Sequence, residues 1–350
     1  MKATVLVTAA GSIVGEGIIK CLKAANSSSS RIVYHIIAGD MSPEGAGLYR
    51  GNQGVILPPF NDPRYIDELV RHCREHSVQA IYVGADEELL VLAKASEIIL
   101  KASGARLISN PEEVIETAGD KWKAAELMIS KGIRHASTAL YEKKEEFVRE
   151  NDYPIVVKPR SGHGSTDVFV AKNYAELEAA AATIRRNNRE PILQEFLEGE
   201  NQEFTTGVSV SSEGKILASI AMRRKLKHGQ TYKAFVDDFP LVRDSAEKAA
   251  LAIGGRGPVN VQSRVVKDEA VIFEINPRFS ASCPIRAIAG INEPDLIYRN
   301  QLLGEEVSIR IYEKLVALRY WNEVYVRQDA FEAASRGNVH GDKSFVPDYF

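Results

Sequence analysis

Apolar and polar positions alternate in blocks along the first hundred residues. Residues 3–8, 31–38, 80–83 and 107–108 are short, β-rich, nearly unbroken apolar runs, the pattern of strands covered on both faces. Between them, residues 18–25, 62–75 and 87–100 carry helical patterning, with Asp62 placed to cap the second helix and Pro63 suited to its first turn. This alternation predicts an open parallel sheet with right-handed crossovers. After Pro111 the pattern changes. Residues 111–132 read as one or two helices, 155–158 and 168–171 as strands flanking a loop, 175–186 as a helix and 192–196 as a strand. Residues 204–210 and 216–221 bracket a turn at 211–214, and a helix at 245–253 precedes a second hairpin over 259–275. The chain thus reads as a parallel α/β domain followed by an α+β region with antiparallel sheets. Residues 328–350 are polar and weakly periodic, and are expected to form a partly flexible tail.

Composition narrows the function classes. At 350 residues the chain has room for two or three domains and a core without disulfide staples. With 44 Lys+Arg against 47 Asp+Glu, the net charge of −3 argues against a nucleic-acid partner, because a protein coating a phosphate backbone is usually strongly basic. Cys21, Cys73 and Cys283 form no C-x-x-C pair, which points to a reducing compartment and to neither a disulfide framework nor a cysteine zinc site. No apolar run reaches the roughly 18 residues of a membrane span, and the chain enters a strand at once with no signal-peptide pattern. The expectation is a soluble cytoplasmic protein, an enzyme, with no membrane partner.

Four segments carry candidate chemistry. Gly11, Gly15 and Gly17 follow the first strand and open a helix, either to let an anion approach the helix N-terminus or to make a tight turn. Their spacing is not that of the dinucleotide fingerprint. The loop from Arg160 to Asp167 holds Ser161, Gly162, Gly164, Ser165 and Thr166. Its free amides and small hydroxyls suit a polyphosphate, although a mobile surface loop would look similar. Lys158 sits in an otherwise apolar strand, where its ammonium is costly without an anionic partner; snorkelling is the alternative. In the 259–275 hairpin, symmetry about Asp268 would set Gln262 opposite Glu274 and Asn260 opposite Asn276. Residues two apart share a strand face, so four oxygen-bearing side chains would converge, as for Mg²⁺ held jointly with substrate phosphates. A one-residue slip would turn Gln262 away, and a solvated face is the competing reading. Arg278 follows the strand, and Arg223, Arg224 and Lys225 end another strand ahead of a loop containing Gly229, where they could stabilise a developing anion.

Taken in order, these residues resemble the ATP-grasp superfamily. Asp120 and Lys121 in a helix are followed by Val156, Val157, Lys158 and Pro159 and the Gly-rich loop. Next come Leu193 to Leu197 with Gly199 and Glu203, and finally Asn260 and Gln262 with Glu274-Ile-Asn-Pro-Arg278. The match spans about residues 1–310 and is nearest to a single ATP-grasp unit of the carbamoyl phosphate synthase large chain. The resemblance implies an N-terminal α/β domain over 1–110, a small subdomain with central helices and the lid over 111–195, and a second subdomain over 196–327. It implies ATP contacts from Lys121 and Lys158, a lid from Ser161 to Thr166, and a hinge at the adenine from Glu195, Phe196 and Leu197. Glu203 would hold the ribose. Gln262, Glu274 and Asn276 would ligate Mg²⁺ or Mn²⁺, and Arg278 would meet the transferring phosphoryl group or acylphosphate; Arg223 and Arg224 could add catalytic charge there or form a solvated face.

The implied chemistry is ATP-dependent activation of a carboxylate as an acylphosphate, then attack by an amine to give an amide, ADP and phosphate. Small-molecule carboxylate and amine partners follow, and a homodimer is common among such relatives. Because the chain has room for one unit only, a complete carbamoyl phosphate synthase is not expected. A kinase-like enzyme that stops at phosphorylation and a nucleotide-binding regulatory module are the alternatives; a nicotinamide-dependent oxidoreductase would rest on the first glycine turn alone. The specificity pocket is expected between Gly11–Gly15, Asp86–Glu88 and the basic strip at 223–225, with Arg286 as a further carboxylate contact.

Overall fold

The computed structural model describes residues 1–28, 31–162, 164, 166–199, 202–337, 339 and 344–348. The first domain runs β1 (Lys2–Val7), α1 (Ile13–Ser27), β2 (Val33–Asp40), β3 (Gln53–Ile56), α2 (Tyr65–Glu75), β4 (Ala80–Tyr82), α3 (Asp86–Ser103) and β5 (Arg106–Ile108). Its sheet has the order β3-β2-β1-β4-β5, every pair parallel. The apolar strands are covered on both faces as expected: Leu6, Ile37 and Ile81 face α2 and α3, whereas Val5, Val7 and Ile36 face α1. The second helix differs from its reading. It begins at Tyr65, and Asp62 instead accepts from the backbone and guanidinium of Arg64 in a local turn ahead of it.

The following elements are α4 (Glu112–Gly119), α5 (Lys121–Ser130), β6 (Thr138–Leu140), α6 (Lys144–Glu150), β7 (Ile155–Pro159), β8 (Phe169–Ala171), α7 (Tyr174–Arg186) and β9 (Pro191–Glu195). Strands β6-β9-β7-β8 form an antiparallel sheet under α7. Then come β10 (Glu203–Val210), β11 (Ile216–Lys227), β12 (Gln230–Val236), α8 (Pro240–Ala252), β13 (Pro258–Val266), β14 (Glu269–Asn276), α9 (Cys283–Ile288), α10 (Glu293–Leu303) and β15 (Leu315–Leu318). These give a second antiparallel sheet, β14-β13-β10-β11-β12-β15. Helices α4 and α5, grouped by sequence with the smaller sheet, share the core of the larger one: Val114, Ala118 and Met128 pack with Val208, Ala246 and Val261.

The first domain is welded to the rest by segment 279–303. Phe279, Ile297 and Tyr298 enter its core, Tyr34 donates to Asp295 (2.8 Å), and Tyr82 to the Pro294 carbonyl (3.0 Å). The C-terminal stretch, expected as a flexible tail, forms β16 (Tyr325–Val326), α11 (Gln328–Ser335) and β17 (Ser344–Phe345). Ala334 of α11 is fully buried against Leu48 and Tyr49. Its short apolar positions were too sparse to show a period. Among the described residues no helix is long and apolar enough to cross a membrane.

Candidate active site

One face of the larger sheet is polar and lines a cleft, and strand alternation decides which residues reach it. β10 pairs Glu203 with Arg264, Thr205 with Gln262 and Gly207 with Asn260, while β14 pairs Glu274 with Gln262 and Asn276 with Asn260. The expected convergence is therefore present, but through two compensating features. The turn consists of Lys267 and Asp268 alone, both left-handed (φ 48° and 61°), which is the backbone of a type I′ hairpin. From there the register would set Gln262 opposite Phe273. A bulge between Gln262 and Ser263 inserts one residue and restores Glu274 opposite Gln262.

Lys158 is 4% exposed and donates to Gln194 Oε1 (2.7 Å) and the Phe273 carbonyl (3.2 Å). Burial pushes its ammonium down to about 8, against the attraction of Glu274. Lys121 Nζ donates to the Gly162 carbonyl (2.5 Å), and burial lowers it too, opposed by Glu274 and Asp86. The Glu274 carboxylate has no hydrogen bond or ion pair among the described residues, and Asn276, 6% exposed, leaves its Nδ2 buried without a partner. Two cations, an unengaged carboxylate and an orphaned N–H thus face one space. It comprises a cavity of about 220 Å³ beside one of about 690 Å³, with Lys121, Gly162 and Glu274 on both walls.

The base of the loop that follows β7 is held on one side. Asp120 caps α5 at Trp122 and Lys123 and takes Arg160 on both oxygens (3.0 and 2.7 Å), while Arg160 also reaches Glu190 (3.0 Å). Gly162 (φ 126°) and Gly164 (φ 69°) lie where side chains are strained. Gly162 and Thr166 line the smaller cavity and Ser161 the larger; Ser165 lies outside the described residues. Glu195, Phe196 and Leu197 line the smaller cavity at the end of β9. The Glu195 side chain accepts from Ser137 N (3.0 Å), while its own N–H donates to the Ser137 carbonyl (2.8 Å) and the Leu197 carbonyl accepts from Arg264 (3.0 Å).

Several site residues stand differently from their reading. Glu203 lines the cavity, but its carboxylate is clamped by Arg224 (2.9 Å) and Arg264 (2.8 Å). Gln262 turns its oxygen to Arg224 (2.7 Å) and Asn276 Oδ1 accepts from Arg278 (3.4 Å), so of the three expected metal ligands only Glu274 is without a hydrogen bond among the described residues. Arg278 forms a bidentate pair with Asp86 of α3 (2.8 and 3.0 Å), joining the first domain to the end of β14. Arg223 is not in the cleft. β11 continues to Lys227 and turns at His228 and Gly229 into β12, so Arg223 and Arg224 lie mid-strand on opposite faces. Arg223 covers the Phe235 ring instead (4.8 Å). Arg286 meets no ligand space: it is wholly buried, paired with Glu293 (2.6 Å), and Gly207 leaves it room, since a Cβ there would stand 2.5 Å from its Nε.

Reading from sequence missed Gln194, which orients Lys158, and Arg264, which locks Glu203. Gln194 carried the same signal as Lys158, a polar residue in an apolar strand. At the C-terminal ends of the parallel strands, the glycines serve packing. A Cβ on Gly15 would lie 2.3 Å from the Ala9 carbonyl oxygen and one on Gly11 2.5 Å from Gly45 Cα. Gly11 N donates to Asp40 (2.7 Å), Ser12 to the Gly84 carbonyl (2.6 Å) and Thr8 to Glu88 (2.5 Å). Burial raises Glu88 to about 7, so it holds a proton far above the usual carboxylate range.

The site's donor set fits a magnesium–nucleotide. Glu274 offers hard oxygens, Asn276 an amide beside them, and Lys121 and Lys158 charge for phosphates. An ATP-grasp domain matches residues 118–282 and a PylC-like N-terminal domain residues 5–108. Over 264 residues the chain is 22% identical to the C-terminal section of the carbamoyl phosphate synthase large chain of Aquifex aeolicus, covering 71% of this chain and 46% of that protein. It is 27% identical over 230 residues to the Thermus thermophilus large chain, covering 62% and 22%. The chain thus spans less than half the length of these curated relatives. Its fold is shared with the N5-carboxyaminoimidazole synthetase of Staphylococcus aureus bound to ADP (TM-score 0.69, 14% identity, 95% and 86% of the two chains). The biotin carboxylase domain of Hydrogenobacter thermophilus 2-oxoglutarate carboxylase is similar to the same degree (TM-score 0.69, 16% identity, 96% and 76%). The two matches place an ATP-grasp domain at residues 118–282 behind a PylC-like N-terminal domain at residues 5–108.

Proposed function

We propose that this protein joins a small-molecule carboxylate to an amine through an acylphosphate, converting ATP to ADP and phosphate. The observation that carries the reading is a set left without full charge or hydrogen-bond compensation around one space: Lys121 and Lys158, which donate only to neutral oxygens, the Glu274 carboxylate and the Asn276 Nδ2. Buried polar groups left without partners cost stability, so they mark where a ligand completes the structure. ADP in the Staphylococcus aureus synthetase, and MgADP with bicarbonate in the Hydrogenobacter thermophilus domain, support the same choice of nucleotide.

In this reading Glu195 to Leu197 meet the adenine edge, Lys158 and Lys121 neutralise the phosphates, and the lid closes over them from its Asp120–Arg160–Glu190 base. Glu274 and Asn276 would hold Mg²⁺, which supplies charge neutralisation on the phosphates. The carboxylate oxygen attacks the γ-phosphorus, forming an O–P bond as the bond to ADP breaks. The amine nitrogen then attacks the acyl carbon, phosphate leaves, and the amine loses its proton. Such chemistry needs positioning and charge compensation rather than a protein nucleophile. The larger cavity, with Asp86, Glu87, Lys123 and Asn276 on its walls, is where the acid and amine would meet. The test pairs candidate acids and amines with MgATP and follows ADP release and product mass. ADP release that needs both substrates, with an amide product, is expected. Phosphorylated acid as the end product would replace this reading with a kinase, and absence of nucleotide binding would end both.

A further inference from the structure

A second cluster lies outside the cleft, on the last turn of α2. His72, Glu75 and His76 stand at helical spacings of three and four, which puts them on one face. One ligand atom of each lies within 4.8 Å of the other two. The two imidazoles are nearly parallel (6°), with centroids 6.1 Å apart. His72 Nδ1 is buried without a hydrogen-bond partner and lies 3.5 Å from Glu75 Oε2. Ligand atoms around a tetrahedral Zn²⁺ stand roughly 3.3–3.4 Å apart, given bonds of about 2.0–2.1 Å.

A second observation shows that the cluster already selects a cation. Arg71 sends Nη1 to both Glu75 oxygens (2.7 and 2.8 Å) and places Nη2 2.9 Å from His72 Nε2. Its guanidinium therefore touches two of the three ligand residues. Arg71 is 47% exposed at its side chain and already holds Glu68 (2.7 Å), a partner it keeps when the Glu75 contact is given up. A smaller divalent ion could then collect the third residue as well, which the planar guanidinium does not reach.

We infer that the C-terminal turn of α2 is a site for a divalent transition-metal ion of the Zn²⁺ class, held by His72, Glu75 and His76, with Arg71 as the resident cation it displaces. Two imidazoles and one carboxylate suit a borderline ion rather than Mg²⁺. The site is independent of the cleft. β4 begins only five residues after Glu75, so this turn lies at the strand N-terminal edge of the parallel sheet, whereas Asp86 follows the strand's other end.

The test titrates the full chain, freed of metal by chelation, with Zn²⁺ in excess Mg²⁺ by calorimetry. One equivalent of Zn²⁺ is expected. Its affinity should fall at least tenfold in His76→Ala and in Glu75→Gln, rise severalfold in Arg71→Gln, and stay unchanged in Glu274→Gln. His76 is half-buried and Glu75 exposed, so circular dichroism should show these variants folded. Zn²⁺ uptake that is equal in His76→Ala, that disappears in Glu274→Gln, or that is absent from both the wild type and Arg71→Gln would overturn the inference.

Discussion

The cleft face of the larger sheet and the C-terminal ends of the parallel strands are both rich in glycine and polar residues, yet they are built on opposite principles. At the parallel strand ends the polar atoms pair among themselves, Gly11 with Asp40, Ser12 with Gly84 and Thr8 with Glu88, and the glycines let backbones touch. In the cleft Gly162 and Gly164 have positive φ and a Cβ on them would meet only side-chain atoms, at 3.4 and 3.9 Å, and Lys158, Glu274 and Asn276 are left incompletely matched. The first arrangement is finished by folding. The second is finished by a ligand.

Four substitutions or conditions test this contrast, from the largest effect to the smallest. Glu274→Gln removes the unengaged carboxylate and should lower kcat by about 10²–10³ while leaving the melting temperature within a few degrees, in line with the loss of one preorganised charged group. A large loss of stability would instead place Glu274 in the folding core. Gly15→Ala should do the reverse. Its Cβ meets the Ala9 carbonyl oxygen at 2.3 Å, and overpacking against backbone costs about 3 kcal/mol, read as a lower urea midpoint.

Glu88→Gln separates the regions by pH. Glu88 titrates at about 7 when folded against about 4.5 unfolded, so the native state holds more protons and wild-type stability falls as pH rises from about 4.5 to 7. The variant should gain up to about 3 kcal/mol over wild type at pH 8, with the difference vanishing below pH 4.5 in urea titrations. Lys158, at about 8, gives the mildest signal. Its cation is present below that pH and lost above it, so ATP affinity should drop about tenfold between pH 7 and pH 9. Lys158→Gln should bind weakly with a flat profile, and an unchanged slope would remove Lys158 from the phosphate site.

Much of the site was readable because isolated polar residues in apolar strands are informative. Lys158 in β7 and Glu274 and Asn276 in β14 needed only strand period and spacing, whereas Lys121 and the order of motifs through Arg278 came from the resemblance to a known family. Arg223 shows where that reasoning fails. Without the hairpin at His228 and Gly229, the basic strip looked like a strand end, and the two-residue period that separates Arg223 from Arg224 could not be applied. Glycine spacing failed for another reason: Gly15 and Gly162 are alike in sequence, but one is needed for space and the other for backbone conformation.

By its own pattern, then, the chain determined the parallel domain, the antiparallel region and the cation–carboxylate set of the cleft, because burial periodicity and the cost of isolated charge are local properties. Only the tertiary structure decided how those charges are spent. It matched Glu203 to Arg224 and Arg264, Arg278 to Asp86 and Arg286 to Glu293, and among the described residues it kept the Glu274 carboxylate and Asn276 Nδ2 without partners. Each of these matches joins residues on different elements, most of them far apart in the chain, and a bulge of one residue in β14 sets which side chains meet. Such pairings depend on register and packing, which no single segment encodes.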